Sequence, residues 1–258
     1  MLLTIDIGNS NIVLGVFDGD LPAGRQGFLT YQKRIITDKS GSGEFYKNKL
    51  NEALGGKIKQ IKGVIIGSVV PELDEVFKQV SKTLFNKEPL FAATTLNTGL
   101  INVSTNCELG ADRLANMVAA QTIYPGNAII VDLGTATTYE VVSEKREYLG
   151  GAIGPGIGSS LDALTSSASG LSKIKLQNPE KVVILGTSPQ LYSGFVFGHA
   201  EMVSGMINRM KRELGWEKCH VIGTGGFIDM ISPHVPEFTK INKQLTLEGL
   251  RLLWEKNR

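Results

Sequence analysis

One pattern written twice limits what this chain can become. Residues 2–17 read Leu-Leu-Thr-Ile-Asp-Ile-Gly-Asn-Ser-Asn-Ile-Val-Leu-Gly-Val-Phe, and residues 128–142 read Ala-Ile-Ile-Val-Asp-Leu-Gly-Thr-Ala-Thr-Thr-Tyr-Glu-Val-Val. Each is an apolar β-rich run that ends at Asp-x-Gly, turns through small polar residues and resumes as a second β-branched run, which predicts strand, tight turn, strand. Two copies predict two similar halves that face each other and present a turn to the same ligand.

The turns are where the chemistry belongs. Gly8 and Asn9 admit positive φ, and the bend directs backbone N–H groups inward, while Asn9, Ser10 and Asn11 add side-chain donors suited to phosphate oxygens. Asp6 ends the first run and is placed to hold a magnesium ion through water. A Walker A loop is excluded, because that loop needs a Lys-Ser/Thr pair opening a helix and here a strand follows. Without the second copy, the first turn would read as an ordinary hairpin.

At 258 residues the chain fits one large domain or two small ones, about 100 to 200 residues being usual for one, and the repeat favours two, 1–114 and 115–258. A composition of 42% hydrophobic and 20% charged residues, with a net charge of +2, is that of a globular protein, and its scattered Lys and Arg predict no nucleic-acid surface. Apolar runs are of strand length, which predicts no membrane span; the first residues lack a signal-peptide pattern, so a cytoplasmic protein is expected. Cys107 and Cys219 are lone thiols without a CxxC partner and predict neither a disulfide framework nor a zinc site.

Between the copies, residues 18–27 read as an exposed loop, Phe28 to Ile36 as a strand and Glu44 to Leu54 as a weak amphipathic helix. Gly63 to Val70 reads as a buried strand. Pro71-Glu72 opens a helix whose Leu73, Val76, Phe77, Val80 and Leu84 face a sheet. Pro89 to Ala93 predicts a short strand, and helical propensity resumes at Asp112. There Asp112 reads either as a common helix cap or as a base beside the cation Arg113 in an interdomain cleft. Gly150 to Ser160 reads as a loop lying close to a ligand, followed by a helix from about Ser159 to Leu164. Lys181 to Thr187 reads as a strand, and Pro189 to Leu214 as a long helix in which His199 is a packed, hydrogen-bonded residue. In that helix Gly194, Gly198 and Gly205 permit close helix contact at a subunit interface. Cys219 to Phe227 reads as a strand into a glycine turn, a surface for an adenosine. A closing helix follows, with Thr246 as its cap.

Two Asp-x-Gly turns, an Asp-Arg pair and a late glycine turn describe a phosphoryl-transfer site. The motifs Asp6-Ile7-Gly8-Asn9-Ser10-Asn11, Ser68-Val69-Val70-Pro71, Gly110-Ala111-Asp112-Arg113, Asp132-Leu133-Gly134-Thr135-Ala136, Gly150-Gly151-Ala152-Ile153-x-Pro155-Gly156 and Gly223-x-Gly225-Gly226-Phe227 resemble the type III pantothenate kinases, over nearly the whole chain and in order. That family belongs to the acetate and sugar kinase, chaperone and actin superfamily. The resemblance implies an α/β fold of two ribonuclease-H-like domains with an interdomain active-site cleft, in a homodimer. It implies transfer of the γ-phosphate of ATP to pantothenate, the first step of coenzyme A synthesis, with magnesium and a monovalent cation, potassium or ammonium.

By the same resemblance Asp112 matches the general base. Gly110, Ala111, Arg113 and Thr187 match pantothenate-binding positions, Asp132 the monovalent-cation ligand, Thr135 an ATP contact, and Asp6, Ile7, Gly8, Asn9, Ser10, Asn11, Ile12 and Val13 the phosphate-binding turn. Little covalent chemistry is asked of the protein in such a reaction, so positioning, cation charge and backbone donors carry the rate. The rival readings are a superfamily kinase for another small alcohol or carboxylate, and a non-catalytic nucleotide-binding regulator, since relatives called transcription accessory factors share this plan. Retention of both Asp112 and Arg113 argues against the latter.

The chain departs from the family at Val103 and Cys107, where a tyrosine that contacts substrate and often a proline stand, and residues 21–27 look inserted. Val103 forfeits a hydrogen bond and an aromatic wall, so pantothenate binding weaker than in a tyrosine-bearing relative is expected. Val103→Tyr should therefore lower the pantothenate KM in a steady-state assay; an unchanged KM would refute that account.

Overall fold

The computed structural model describes residues 1–18, 27–103, 109–168 and 174–258. Most of the loop expected between the first strands, and Cys107, lie outside the described residues. Contacts divide the chain into two compact units, 1–119 with 245–258, and 120–244. That division differs from the one expected at 114/115, because the last helix joins the first unit.

In chain order the elements are β1 (Leu2–Ile7), β2 (Asn11–Phe17), β3 (Leu29–Ile36), α1 (Gly43–Leu54), β4 (Gly63–Ser68), α2 (Asp74–Phe85), β5 (Leu90–Phe91), α3 (Ala111–Ile123), β6 (Ala128–Leu133), β7 (Ala136–Val142), β8 (Tyr148–Pro155), α4 (Ile157–Ser167), α5 (Thr187–Leu214), β9 (His220–Thr224), α6 (Ile228–Ile231), β10 (Lys240–Ile241) and α7 (Leu245–Asn257). A short 3-10 turn, Pro71–Leu73, precedes α2.

Each unit is built on a five-stranded sheet, ordered β3-β2-β1-β4-β5 in one and β8-β7-β6-β9-β10 in the other. In both, the first hairpin and its third strand pair antiparallel, and the remaining strands pair parallel to the central one. The likeness extends to irregularities, since the second and third strands slip register at Val16/Phe17 in one sheet and at Val141/Val142 in the other. This is the ribonuclease-H-like order, present twice.

The core of the first unit is set by alternation. Leu3, Ile5 and Ile7 of β1, with Ile12, Leu14 and Val16 of β2, pack on Tyr46, Leu50 and Leu54 of α1 and on Phe77 and Val80 of α2. Helix α1 begins where Ser42 accepts a hydrogen bond from the Phe45 amide. The opposite face of the sheet receives α7, whose side chains enter slots left by glycines. A Cβ at Gly15 would lie 3.0 Å from Leu247 Cδ1, one at Gly67 would lie 2.9 Å from Leu250 Cδ2, and one at Gly63 would strike the Trp254 ring. Gly249 of α7 in turn lies against the Ala115 carbonyl of α3.

In the second unit Ile129, Val131 and Leu133 of β6 and Tyr139 and Val141 of β7 pack against Val196, Ala200, Val203 and Ile207 of α5. His199 is buried among them and shares a 2.9 Å hydrogen bond with the Thr137 hydroxyl, so it is the packed residue expected. Burial pushes its pKa down, which favours the neutral ring.

Several local expectations are corrected. Residues 181–186 form no strand; Val183 is 86% and Leu185 91% exposed, because an apolar run becomes a strand only where a sheet edge receives it. The glycine-rich stretch is mostly strand, as β8, not loop. Within this edge strand Gly151 serves close approach, since a Cβ on it would strike the Tyr139 carbonyl, whereas Gly150 and Gly154 have open space around them. Thr246 lies inside α7 and donates to Asn116 Oδ1 at 2.8 Å rather than capping the helix. The hairpin turn at 8–11 avoids positive φ, which among the described residues occurs at neither Gly8 nor Asn9. Glycine at position 8 instead limits crowding, a Cβ there lying 3.1 Å from the Asn11 carbonyl.

Gly249→Ala separates intrinsic propensity from packing. Helix propensity alone favours alanine by about 1 kcal/mol. A methyl driven into a backbone carbonyl that cannot swing away should still cost stability, by about 1–3 kcal/mol in chemical denaturation.

Candidate functional site

The first set of predicted residues assembles at the carboxyl end of β1. This is where the sheet changes from antiparallel to parallel neighbours, the usual place for ligand crevices in such sheets. Register puts Asp6 opposite Val13 on one side and Gly67 on the other. Asp6 is half-buried there, while Asn9 and Ser10 are exposed. Ile7 and Ile12 are fully buried in the core, so their side chains are out of reach of a ligand.

The Ser68-Val69-Val70-Pro71 stretch continues from β4. The Val69 amide donates to the Ile7 carbonyl at 3.0 Å, which ties this stretch to the turn. The Ser68 hydroxyl accepts from the Val70 amide at 3.2 Å and fixes the bend before α2. Gly110 sits against the same place, since a Cβ on it would lie 3.2 Å from Val69 Cγ1 and 2.6 Å from Asp112 Oδ1. Glycine there leaves room for the Asp112 carboxylate in the first turn of α3. A cleft of about 560 Å³ opens beside Ser68, Asp74, Lys78 and Phe91.

Burial pushes the Asp112 carboxyl above the usual carboxylate range. The Arg113 amide, which donates to Asp112 Oδ1 at 2.7 Å, and the Arg113 charge oppose that rise. A carboxylate kept short of water and within the field of the Arg113 charge is a usable proton acceptor.

The second set assembles at the carboxyl end of β6, where Asp132 lies between Thr138 and Thr224. Gly225 has φ +98°, and a Cβ on it would sit 2.5 Å from Asp132 Oδ1 and from the Leu133 amide nitrogen, so only glycine lets this turn close over the carboxylate. The Phe227 amide then donates to the Leu133 carbonyl at 3.1 Å. Gly158 approaches the Phe227 ring, at 3.0 Å from a Cβ placed on it. Three loops thus converge around exposed Thr135: the turn after β6, the start of α4 and the glycine turn after β9.

The hydrogen bonds and close approaches that build these two sets involve neither Thr187 nor Val103. Thr187 is exposed as the first residue of α5, following Gly186 at φ +97°. Val103 is half-buried next to the segment 104–108. Two residues to which the sequence reading gives no individual role do belong, Thr37, which it passes over, and Ser159, which it places only in the stretch close to a ligand. The Thr37 hydroxyl donates to the Gly8 carbonyl at 2.7 Å, and the Ser159 hydroxyl donates to the Thr135 carbonyl at 2.7 Å. No local motif announces either, because both act on backbone atoms far away in sequence.

Metal-ligating capacity is modest. Among the described residues no group of three or more His, Cys, Asp or Glu side chains is placed to hold an ion. The oxygen donors at hand are single carboxylates, hydroxyls and carbonyls. These suit a hard cation that keeps much of its water or takes ligands from a substrate phosphate.

The profile of the family described as type III pantothenate kinase matches residues 2–209. A protein of Roseiflexus sp. (strain RS-1) named type III pantothenate kinase is 42% identical over 100% of both chains. Among solved structures, one from Campylobacter jejuni titled as a Baf family transcriptional activator superposes with a TM-score of 0.59 at 19% identity, over 98% of this chain and 97% of that one. An inorganic polyphosphate/ATP-glucomannokinase from Arthrobacter sp. strain KM gives 0.50 at 13% identity, over 98% of each. Likeness at those identities bears on the fold.

Direct titration tests the setting of Asp112. Carboxyl carbon NMR should place its pKa above that of an ordinary aspartate, and Arg113→Gln should raise it further by removing the nearby positive charge. A value at or below the ordinary one would refute the desolvation account.

Proposed function

The chain belongs to the type III pantothenate kinase family, and from that membership we infer that it transfers the γ-phosphate of ATP to the hydroxyl of pantothenate, opening coenzyme A synthesis. The observation that carries the inference is the family match over residues 2–209 together with a named relative 42% identical from end to end.

The residue roles follow from the chemistry. A transferring phosphoryl group needs donors and positive charge around its oxygens rather than a covalent partner. The turn amides and polar side chains of residues 8–11, and Thr135 in the second unit, provide donors for the triphosphate. Ionised Asp112 accepts the proton of the attacking hydroxyl, and its desolvated setting supports that assignment. Gly110 and Ala111 leave space for pantothenate, Arg113 offers a charge for its carboxylate, and Thr187 adds a hydroxyl. Asp6 would hold magnesium through water, and Asp132 would hold potassium or ammonium, beneath the Gly225 turn. When bound, these cations neutralise charge on the phosphates where no Walker lysine is present.

A homodimer accords with α5, on which Gly194, Gly198 and Gly205 are exposed with nothing within 4 Å of a Cβ built on any of them. The exposed Val182, Val183 and Leu185 ahead of that helix add apolar surface for a second copy. Among the described residues no helix is long and apolar enough to cross a membrane, and a biosynthetic kinase of this family fits a cytoplasmic setting.

ADP release from ATP provides the test. It should depend on pantothenate and on potassium or ammonium, and should fail in sodium; pantothenate-independent binding of nucleotide without turnover would favour a regulator instead. Asp112→Asn should leave ATP binding nearly intact and cut kcat by about 10²- to 10⁴-fold. In the parent, kcat/KM should fall as pH drops through the raised pKa of Asp112, since the base must be ionised. Near-normal turnover by the Asn variant would remove Asp112 from that role.

A further inference from the structure

Each turn is held from behind by one backbone amide and one hydroxyl; the amides take equivalent carbonyls and the hydroxyls different ones. Thr37 is the first residue after β3; its hydroxyl donates to the Gly8 carbonyl at 2.7 Å and its amide to the Ser10 carbonyl at 3.2 Å. In the second unit the first residue after β8 is Gly156, whose amide donates to the Thr135 carbonyl at 3.1 Å. Ser10 and Thr135 hold equivalent places, each immediately preceding the second strand of its hairpin. A Cβ at Gly156 would strike the Gly134 and Thr135 carbonyls, so no side chain fits where Thr37 stands. The hydroxyl arrives instead from α4, as Ser159 donating to the Thr135 carbonyl at 2.7 Å.

The consequence lies in the geometry of the peptide unit. In a trans peptide the carbonyl and the following N–H point in opposite directions. Tying the Gly8 and Ser10 carbonyls to Thr37 aims the amides of Asn9 and Asn11 away from it, and tying the Thr135 carbonyl to Gly156 and Ser159 does the same for the Ala136 amide. An anchored carbonyl is also kept from turning its partial negative charge toward a phosphate. Asn9, Ser10 and Thr135 are exposed, so a ligand can reach each turn.

We propose that Thr37 and Ser159 are positioning residues for the nucleotide triphosphate, their hydroxyls holding the turn carbonyls back so that the turn amides face the phosphates. The proposal rests on the ATP-dependent reading above and extends it to two residues that touch no substrate themselves.

Steady-state kinetics on the full chain with Thr37→Val, Thr37→Ser and Ser159→Ala, together with thermal midpoints, tests it. Thr37→Val and Ser159→Ala should each raise the KM for ATP about tenfold, the effect of losing one hydrogen bond, while the KM for pantothenate stays within about twofold. Thr37→Ser, which keeps the hydroxyl, should restore most of the loss. An unchanged ATP KM in both Thr37→Val and Ser159→Ala would overturn the proposal. So would a parallel rise of both KM values in step with a lowered midpoint, the signature of hydroxyls that only support the fold. If Thr37→Val does not fold, the Ser159→Ala kinetics decide. Parent protein that releases no ADP with pantothenate would sink the kinase reading and this inference with it, and is told apart from the other failures by the parent alone.

Discussion

Everything at the candidate site depends on how the central strand of each sheet is paired. β1 and β6 are each flanked by an antiparallel partner on one side and a parallel partner on the other, so two connections lie beside the carboxyl end of each. One is the hairpin turn that follows the strand itself, and the other is the loop that follows its parallel neighbour, Ser68 to Pro71 in the first unit and Gly223 to Phe227 in the second. An aspartate on the penultimate residue of the central strand is therefore bordered by backbone from both sides, half-buried yet beside polar loops. Register carries this placement: a slip of one residue would turn the side chain to the other face of the sheet.

Around that constraint, glycine does different work at different places. At Gly225 it supplies a backbone conformation with φ of +98° and lets a turn close on Asp132. At Gly15, Gly63 and Gly67 it opens the surface of the first sheet to leucines and a tryptophan of α7, so the end of the chain covers the sheet with which the chain begins. At Gly110 it makes space for a neighbouring carboxylate. The same residue type thus encodes closure, packing and access, and only its surroundings say which.

The polar chemistry of the two halves has diverged more than their backbones. Strand order, pairing direction and even the position of the register slip coincide, whereas Thr37 on one side answers to Gly156 and Ser159 on the other. The amides of Thr37 and Gly156 reach equivalent carbonyls, those of Ser10 and Thr135, whereas the hydroxyls take different ones, Thr37 the Gly8 carbonyl and Ser159 the Thr135 carbonyl. His199 shows a related principle in the second core, where a buried imidazole satisfies the hydroxyl of Thr137 that would otherwise be stranded among aliphatic side chains.

The sequence by itself determined the duplicated hairpins, the amphipathic helices α1 and α2, the long α5, and the two Asp-x-Gly turns with the Gly-Ala-Asp-Arg block, because period, turn chemistry and motif are local properties of neighbouring residues. It misled where an apolar run such as 181–186 had no sheet edge to join, and where a glycine-dense run such as 150–155 did. Only the tertiary structure decided that α7 belongs to the first unit, that Thr246 reaches Asn116 instead of capping its helix, and that Thr37 and Ser159 hold the turns. The physical reason is common to all of these: a partner supplied by a distant segment leaves no trace in the residues beside it, and a hydrogen bond to a backbone carbonyl leaves none in the identity of the acceptor.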